Sequence, residues 1–358
     1  MKKNLVLALA VTFAFANAFA YNPPFGGESI YRISNPELMS GAASASGGPE
    51  FTVVPGSIAF NPALTALEQR NVLSLNYTAM IDTKRAAGSD AGYGQAFQLG
   101  LIVPSKWLVL TGVLQGTFTD FPRMDLGNSL SMRFGVSKEM TDRLSVGLNA
   151  YAGFYMGGSF DLTAGVDLGA LYCFEDSWFL KSPRLGVSFL NLGKPLTSYT
   201  DALGINGNAS GVSYPSILTP RVSFAATFFK TGRLKGGFSA DLSFPFFQNA
   251  VLDAALGFSY ADMMVLSVSW EANTRELVAA AQRNVRTVSF PSIGLCFKFA
   301  INSSGISKAN ADWERSEIIP SFAWQNLHGG IQAFCAGARM NLGMSDTSAP
   351  EIILWDEE

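Results

Sequence analysis

The clearest pattern in the sequence lies at Leu144-Ser145-Val146-Gly147-Leu148-Asn149-Ala150-Tyr151-Ala152-Gly153-Phe154-Tyr155-Met156. Every even-numbered residue in it is apolar, and most odd-numbered residues are polar or glycine. Residues two apart share one face of a β-strand, so this alternation predicts a strand with one apolar and one polar face. The predicted strand is about twice as long as the five or six residues typical of globular proteins.

The same alternation recurs along most of the chain and predicts fourteen strands. They cover residues 71–81, 95–103, 106–118, 128–138, 143–156, 160–173, 183–193, 217–229, 233–246, 250–261, 263–272, 287–301, 315–325 and 330–342. The third strand is the weakest prediction, because Trp107 to Leu110 is apolar on both faces. The sequence therefore predicts an all-β fold.

The strands of a soluble β-sandwich alternate in the same way, so strand length and the composition of the polar faces have to distinguish a sandwich from a transmembrane barrel. The predicted strands have about 10–14 residues, and a tilted transmembrane strand needs about 9–11. Their polar faces carry mostly Ser, Gly, Asn and Thr, and only 15% of the chain is charged. Soluble proteins have roughly 25% charged residues. Closed barrels satisfy every backbone group in lipid, and bacterial single-chain barrels have even strand numbers. We therefore expect a transmembrane antiparallel β-barrel of about 14 strands over residues 71–342.

Connection lengths predict the orientation of this barrel. Bacterial barrels have short periplasmic turns and longer outer loops. The connection at 138–142 is short, whereas the one at 194–216 is the longest. Both chain ends are then periplasmic, although three connections do not follow the rule: the short ones after Met156 and after residue 325, and the long, charged one near 302–314.

The N-terminus predicts export from the cytoplasm. Lys2 and Lys3 precede the apolar run Leu5 to Ala16, and Ala18-Phe19-Ala20 has the small-x-small pattern that signal peptidase requires. Residues 1–20 are thus predicted to be a cleaved signal peptide. We expect the mature protein to be integral to the cell outer membrane.

Composition argues against several other functions. Removing Lys2 and Lys3 with the signal lowers the formal net charge from −3 to −5, which argues against a nucleic-acid partner. One histidine and three cysteines make a metal site or a disulfide framework improbable. An outer-membrane enzyme would need a nucleophile and a base, and His328 lies in a short turn. We therefore expect no enzymatic activity, no cofactor and no metal.

Residues 21–70 do not alternate and contain the sharpest motif of the chain. The small-residue run Gly41 to Gly48 is followed by Asn61-Pro62-Ala63. Asn suits a helix N-cap and Pro suits the first helical position, so Ala63 to Gln69 is predicted to form about two helical turns. An ordinary helix start explains the motif equally well when it is taken alone.

The small-residue run, Asn61-Pro62-Ala63, a short helix and fourteen strands together resemble the outer-membrane long-chain fatty acid transporter (FadL-like) family, in particular its uncharacterised spirochaete-type branch. The resemblance implies that residues 21–70 fold back as a hatch that plugs the barrel, with Asn61, Pro62 and Ala63 as the hatch motif. It also implies that a hydrophobic ligand such as a fatty acid enters from outside and leaves laterally through the wall. The sequence departs from well-known members in its outer loops, because the most helix-like outer segment is Thr274 to Val285.

Four basic residues fall on predicted inward faces and are candidates for binding a fatty carboxylate, since a buried anion needs a charged partner. They are Arg133, Arg221, Lys298 and Arg339. The alternative is that each forms a structural pair with an inward acid, such as Asp161, Asp167, Asp241 or Asp253.

The leading hypothesis is transport of hydrophobic molecules, most of all long-chain fatty acids, by a protein surrounded by outer-membrane lipid. The alternative is the barrel component of a secretion or surface-assembly system that binds protein partners. The acidic tail, residues 343–358, favours a periplasmic partner under that alternative, and a solvated tail is the simpler interpretation. Its five acidic residues are Asp346, Glu351, Asp356, Glu357 and Glu358.

Overall fold

The structure is a computed structural model of the chain. It describes residue 23 and residues 26–83, 92–119, 121, 126–156, 160–177, 179–198, 212–282, 291–301, 316–327 and 330–343. The predicted signal peptide and nearly all of the acidic tail, including its five acids, lie outside the described residues.

Fourteen antiparallel strands form one closed barrel, as the alternation predicts. Each strand pairs with its neighbours in chain order, and the last strand pairs with the first from Asn71 opposite Leu342 to Asp82 opposite Ile331. The strands are β1 (Asn71–Asp82), β2 (Tyr93–Pro104), β3 (Val109–Phe118), β4 (Asn128–Thr141), β5 (Leu144–Met156), β6 (Phe160–Cys173), β7 (Lys181–Lys194), β8 (Thr219–Thr231), β9 (Leu234–Ser243), β10 (Val251–Tyr260), β11 (Met264–Asn273), β12 (Ser292–Phe297 and Phe299–Ile301), β13 (Ser316–Asn326) and β14 (Ile331–Leu342).

The structure corrects the predicted elements at several points. β3 begins at Val109 rather than at residue 106, because Ser105 and Leu108 close a tight turn through a 3.0 Å backbone hydrogen bond. The turn between β4 and β5 is shorter than predicted, since β4 continues to Thr141. The long connection after β7 contains an unpredicted hairpin, Leu196–Ser198 with Val212–Tyr214.

The helical predictions are also adjusted. An α-helix, α1, covers Thr274–Gln282 on the connection after β11, where the sequence predicts the most helical outer segment. The segment after Asn61 is a 3-10 helix, Pro62–Leu67, and ends two residues before the predicted Gln69. None of the described helices is long and apolar enough to cross a membrane.

The two faces of the wall differ in chemistry as the period of two requires. Outward side chains are large and apolar, and many of them are exposed, for example Leu75, Met132, Phe134 and Leu162. Inward side chains are mostly polar or charged and yet buried. Buried polar side chains are almost always hydrogen-bonded, so another part of the chain must fill the lumen and supply their partners.

Residues 26–70, which we call the hatch, fill it. The hatch has little regular structure: 3-10 helices at Gly27–Ser29, Pro55–Ala59 and Pro62–Leu67, and a π-helical turn at Leu38–Ala42. Most of its residues are buried, and apolar side chains such as Ile30, Leu38 and Phe60 belong to one buried cluster with side chains of the wall. The hatch is therefore held by the wall.

Candidate functional site: the hatch inside the barrel

The hatch is hydrogen-bonded to all fourteen strands of the barrel. Most of these bonds join an inward polar side chain of the wall to the hatch backbone, as in Ser188 Oγ donating to the Phe60 carbonyl at 2.7 Å. The wall residues, one from each strand in chain order, are Thr78, Gln98, Gln115, Ser137, Asn149, Ala170, Ser188, Arg221, Asp241, Asp253, Ser269, Ser292, Glu317 and Arg339. An irregular backbone is stable here because the wall supplies the partners that a helix or sheet would otherwise provide.

Asn61 connects two parts of the hatch to the wall. Its side-chain Oδ1 accepts from the Ala63 amide at 3.0 Å, which is the predicted N-cap interaction. Its Nδ2 donates to the Ala45 carbonyl at 2.7 Å and to the Ala170 carbonyl of β6 at 3.0 Å. Pro62 follows at the first helical position. The motif therefore does more than begin a helix, because the same side chain also holds the small-residue run and β6.

Glycines on the inward face let the motif approach the wall. A Cβ atom on Gly169 of β6 would lie 1.9 Å from Asn61 Oδ1, and one on Gly147 of β5 would lie 2.3 Å from the Pro62 carbonyl carbon. Both distances are below any real contact, so these positions exclude side chains. The close approach of the hatch therefore explains why glycine occupies these two inward positions, which the period of two does not predict.

A buried charge cluster anchors the start of the hatch. Arg32 Nη1 lies 2.9 Å from Asp253 Oδ1 and 3.1 Å from Glu271 Oε2. Arg221 of β8 contacts Asp241 at 2.9 Å and Asp253 at 3.1 Å, and it donates to the hatch carbonyl of Ala43 at 2.6 Å. Charges buried to this extent are tolerated only when they are paired. The cluster therefore fixes the hatch to β8 through β11.

Each of the four basic residues predicted to bind a ligand already has a carboxylate partner. Arg133 pairs with Asp167 and lies between the rings of Tyr31 and Tyr151, with its Cζ 4.1 and 4.5 Å from their centroids. Lys298 pairs with Glu317 at 2.9 Å. Arg339 binds Glu37 of the hatch through two nitrogens, at 3.2 and 3.1 Å.

These pairs match the structural alternative for Arg133 and Arg221, whose partners are among the predicted inward acids. The partners of Lys298 and Arg339 are glutamates instead. The remaining predicted acid, Asp161, pairs with Lys194 at the start of β6. Carboxylate binding by the four basic residues stays a prediction, and an arriving anion would have to compete with the present partner.

Below the hatch, at the barrel end where β1 begins and β14 finishes, lies a cavity of about 440 Å³ that we call the vestibule. Glu50 and Phe51 of the hatch and Arg184, Lys235 and Lys298 of the wall line it. Burial raises the pKa of the Glu50 carboxyl above its ordinary value, and the ammonium of Lys235, 3.3 Å away, partly offsets this. No hydrogen-bond donor to Glu50 Oε1 is found among the residues that the structure describes.

Sequence reasoning did not predict which hatch residues, such as Arg32, form ion pairs with the wall. Arg32 and its partner Asp253 are 221 residues apart, and the hatch has no periodicity from which to infer which way a side chain points. Sequence reasoning also missed Arg184, although the alternation of β7 gives a signal for it. Val187 and Phe189 are on the outward face of the strand, so the period of two places Arg184 on the inward face.

One chain forms a barrel that its own N-terminal segment plugs, and this fold is similar to that of several solved structures. The chain is similar to a deltaS2 mutant of the TodX monoaromatic hydrocarbon channel, with 10% identity and a TM-score of 0.53. It is similar to the CymD monoaromatic hydrocarbon channel, with 12% identity and a TM-score of 0.51. It is also similar to the toluene transporter TbuX of Ralstonia pickettii, with 11% identity and a TM-score of 0.50.

Each of these matches covers 88% of this chain and 99% of the other. The likeness shows a shared fold. No protein-family model matches the sequence, and no curated protein matches it.

Proposed function

We propose that this protein is an outer-membrane channel for hydrophobic molecules, with long-chain fatty acids as its principal substrates. The observation that carries the proposal is the hatch, which is bonded to every strand and closes the lumen. A barrel built to pass water-soluble solutes would leave its lumen open, whereas a plugged barrel admits a molecule only when the plug moves.

The outer surface of the barrel supports a membrane location. Its exposed side chains are large and apolar around the wall, and surfaces of this kind on a stable protein mark contact with lipid or with another protein. The signal peptide predicted for residues 1–20 supports export to the outer membrane. A transport role, rather than an enzymatic one, agrees with the single histidine of the sequence.

Solved proteins of this fold include channels for monoaromatic hydrocarbons, so fatty acids and neutral hydrocarbons are the two substrate classes to compare. The inward basic residues favour a fatty acid as the substrate. Its carboxylate can replace the protein carboxylate with which such a residue is paired, whereas a hydrocarbon has no charged group that could do so.

The test is uptake by cells that lack their own fatty acid transporter. Cells that produce this protein should take up a labelled long-chain fatty acid faster than cells that produce an unrelated barrel. A labelled toluene arm measures the competing class. Faster toluene uptake with unchanged fatty acid uptake would overturn the fatty acid assignment, and no gain for either compound would overturn the transport function.

A further inference from the structure

The acidic tail leaves the wall at the rim of the vestibule. Asn341 of β14 lines the vestibule, and Gly343, the last described residue, donates from its amide to Ser316 Oγ at 3.0 Å. Every described strand of the wall is paired on both sides, so the wall offers no free edge that the tail could join as a further strand. The vestibule is therefore the surface next to the tail that can receive it.

The second half of the tail combines apolar and acidic residues. Ile352-Ile353-Leu354-Trp355 is a run of four large apolar residues, with Glu351 before it and Asp356-Glu357-Glu358 after it. Residues 344–358 contain no Lys or Arg. Exposure of such a run to water is unfavourable, and a surface that receives it needs apolar side chains beside a cation.

The vestibule offers both kinds of group. Its volume is about 440 Å³, and its apolar lining consists of Val53, Leu67, Met263, Val265 and Ile319. Among the described basic residues that line it, Arg184 alone has no carboxylate within ion-pair distance. The basic residues that do have a carboxylate partner are Arg70, Lys235, Lys298 and Arg339.

The Arg184 guanidinium is held in place without an acid. Its Cζ lies 4.0 Å from the centroid of the Phe51 ring, and its buried Nε has no hydrogen-bond partner among the described residues. A guanidinium stacked on an aromatic face keeps its N–H groups at the edge, where they match a carboxylate in a two-bonded geometry. Arg184 therefore lacks the acidic partner that the other basic residues of the lining have.

The position of Arg184 selects the part of the tail that can reach it. β7 and β14 are seven strands apart in the closed ring of fourteen, so Arg184 lies on the wall opposite the start of the tail. Fourteen tilted strands about 4.8 Å apart enclose a ring roughly 28 Å across. At about 3.3 Å per extended residue, Asp346 can lie at most roughly 10 Å from Gly343. Glu351 and Asp356 can lie up to roughly 26 and 43 Å away, which spans the ring.

We propose that the tail folds under the hatch and binds in the vestibule. The run from Ile352 to Trp355 lies on the apolar lining, and the acids that flank the run, Glu351 and Asp356, supply the carboxylate for Arg184. The tail then covers the lower face of the hatch, and any other ligand of the vestibule has to displace it. The inference does not depend on the proposed substrate, because the tail and the vestibule belong to the same chain.

The first test locates the tail in the purified protein in an uncharged detergent. Ile353→Cys adds a thiol to the tail, and either Cys173 or Cys296 is kept on the wall while the other native cysteines are changed to Ser. Cys173 is opposite Arg184 in the ladder of β6 and β7, whereas Cys296 lies on β12, two strands from β14. A bound tail should form a disulfide with Cys173 at least about tenfold faster than with Cys296, because binding raises the effective concentration of the two thiols. A solvated tail would reach the nearer Cys296 at least as fast, and that result would overturn the proposal.

The second test measures how firmly the tail is bound. The thiol added by Ile353→Cys, in a chain whose three native cysteines are Ser, is alkylated with a maleimide. Loss of a charge-assisted hydrogen bond in Arg184→Met should speed this alkylation by about 10- to 100-fold. Glu351→Gln with Asp356→Asn should speed it as much. These two changes lie outside the wall and the hatch, so they keep the test valid if Arg184→Met does not insert.

Two further variants are matched controls. Asp346→Asn removes a tail carboxylate that is too close to β14 to reach Arg184, and Arg70→Met removes a paired cation from the same cavity. Both should leave the alkylation rate within about threefold of the parent rate, since neither removes a contact of the bound tail. Equal alkylation rates in the parent, in Arg184→Met and in the variant that neutralises the two flanking acids would overturn the proposal.

Discussion

At the residue scale, Asn61 shows how one side chain connects three parts of the molecule. It caps the 3-10 helix, holds the carbonyl of Ala45 and reaches the carbonyl of Ala170 in the wall. A capping interaction contributes about 1 kcal/mol, and a buried carbonyl left without its donor costs about 1–3 kcal/mol. Asn61 is therefore expected to hold the hatch more firmly than a helix start would.

We predict that Asn61→Ala and Gly169→Ala both loosen the hatch. The first removes the donors, and the second places a Cβ atom where Asn61 Oδ1 now lies. The overpacked variant should lose about 1–3 kcal/mol of hatch stability, which hydrogen exchange of the hatch amides measures. Gly112→Ala is the control, because a Cβ there meets nothing within 4 Å. Unchanged exchange in both variants would mean that the motif is only a helix start.

A second residue-scale prediction concerns Arg32. Arg32→Met removes the guanidinium that pairs with Asp253 and Glu271, and breaking a buried pair typically costs about 3–5 kcal/mol. We expect this variant to form the barrel but to leak small solutes in a planar-bilayer conductance measurement. Arg143→Met removes an exposed pair with Glu175 at a turn and should not leak. Equal conductance in the two variants would remove Arg32 from the anchoring role.

At the scale of elements, the pairing of β12 with β13 is interrupted within the wall. Cys296 opposite Ser321 and Phe299 opposite Ile318 share one register, yet the ladder is interrupted between them. Pro320 lies in the interruption, opposite Phe297, and it has no N–H to donate. A proline does not always interrupt a ladder, because Pro220 of β8 stays paired with Phe189.

We predict that Pro320→Ala restores the missing ladder bond. A backbone hydrogen bond contributes about 0.5–1.5 kcal/mol net, so exchange of the neighbouring amides at Phe297 and Lys298 should slow by up to about tenfold. Pro220→Ala should have no comparable effect on β7 and β8. If both variants exchange like the native protein, the interruption has a cause other than the proline.

The elements also show what sequence reasoning captures. The period of two identifies all fourteen strands, because inward and outward faces meet chemically different surroundings along their whole length. It places the start of β3 too early, since Trp107 and Leu108 are apolar but belong to a turn whose hydrogen bonds are set by Ser105. The hatch could be recognised only by resemblance and its contacts not at all, because they pair residues far apart in sequence and follow no period.

At the scale of the whole molecule, the barrel has two unlike ends. At one end of the barrel lie the vestibule, the start of β1, the finish of β14 and the two-residue turn at Asp142 and Arg143. The hairpin Leu196–Ser198 with Val212–Tyr214 and the helix α1 lie at the other. If short turns face the periplasm, the vestibule lies at the periplasmic end of the barrel.

We predict that an epitope tag inserted in the 194–216 connection is reached by antibody on intact cells, whereas a tag between Asp142 and Arg143 is reached only after permeabilisation. Heat-modifiable migration of both proteins controls for folding. Equal access to the two tags on intact cells, or the reverse pattern, would contradict the orientation.

If substrate passes only when the hatch moves, a covalent bond between the hatch and the wall should stop transport. Ser44 of the hatch and Ser223 of β8 have their hydroxyl oxygens 2.9 Å apart, so cysteines at both positions are placed to form a disulfide. Cys173, Cys296 and Cys335, which are free, are first changed to Ser. The control lock joins Val72 to Asn341, opposed residues of β1 and β14, and leaves the hatch unattached. Fatty acid uptake should stop in the oxidised Ser44→Cys/Ser223→Cys protein, return on reduction, and continue throughout in the control; undiminished uptake through the oxidised hatch lock would contradict the account.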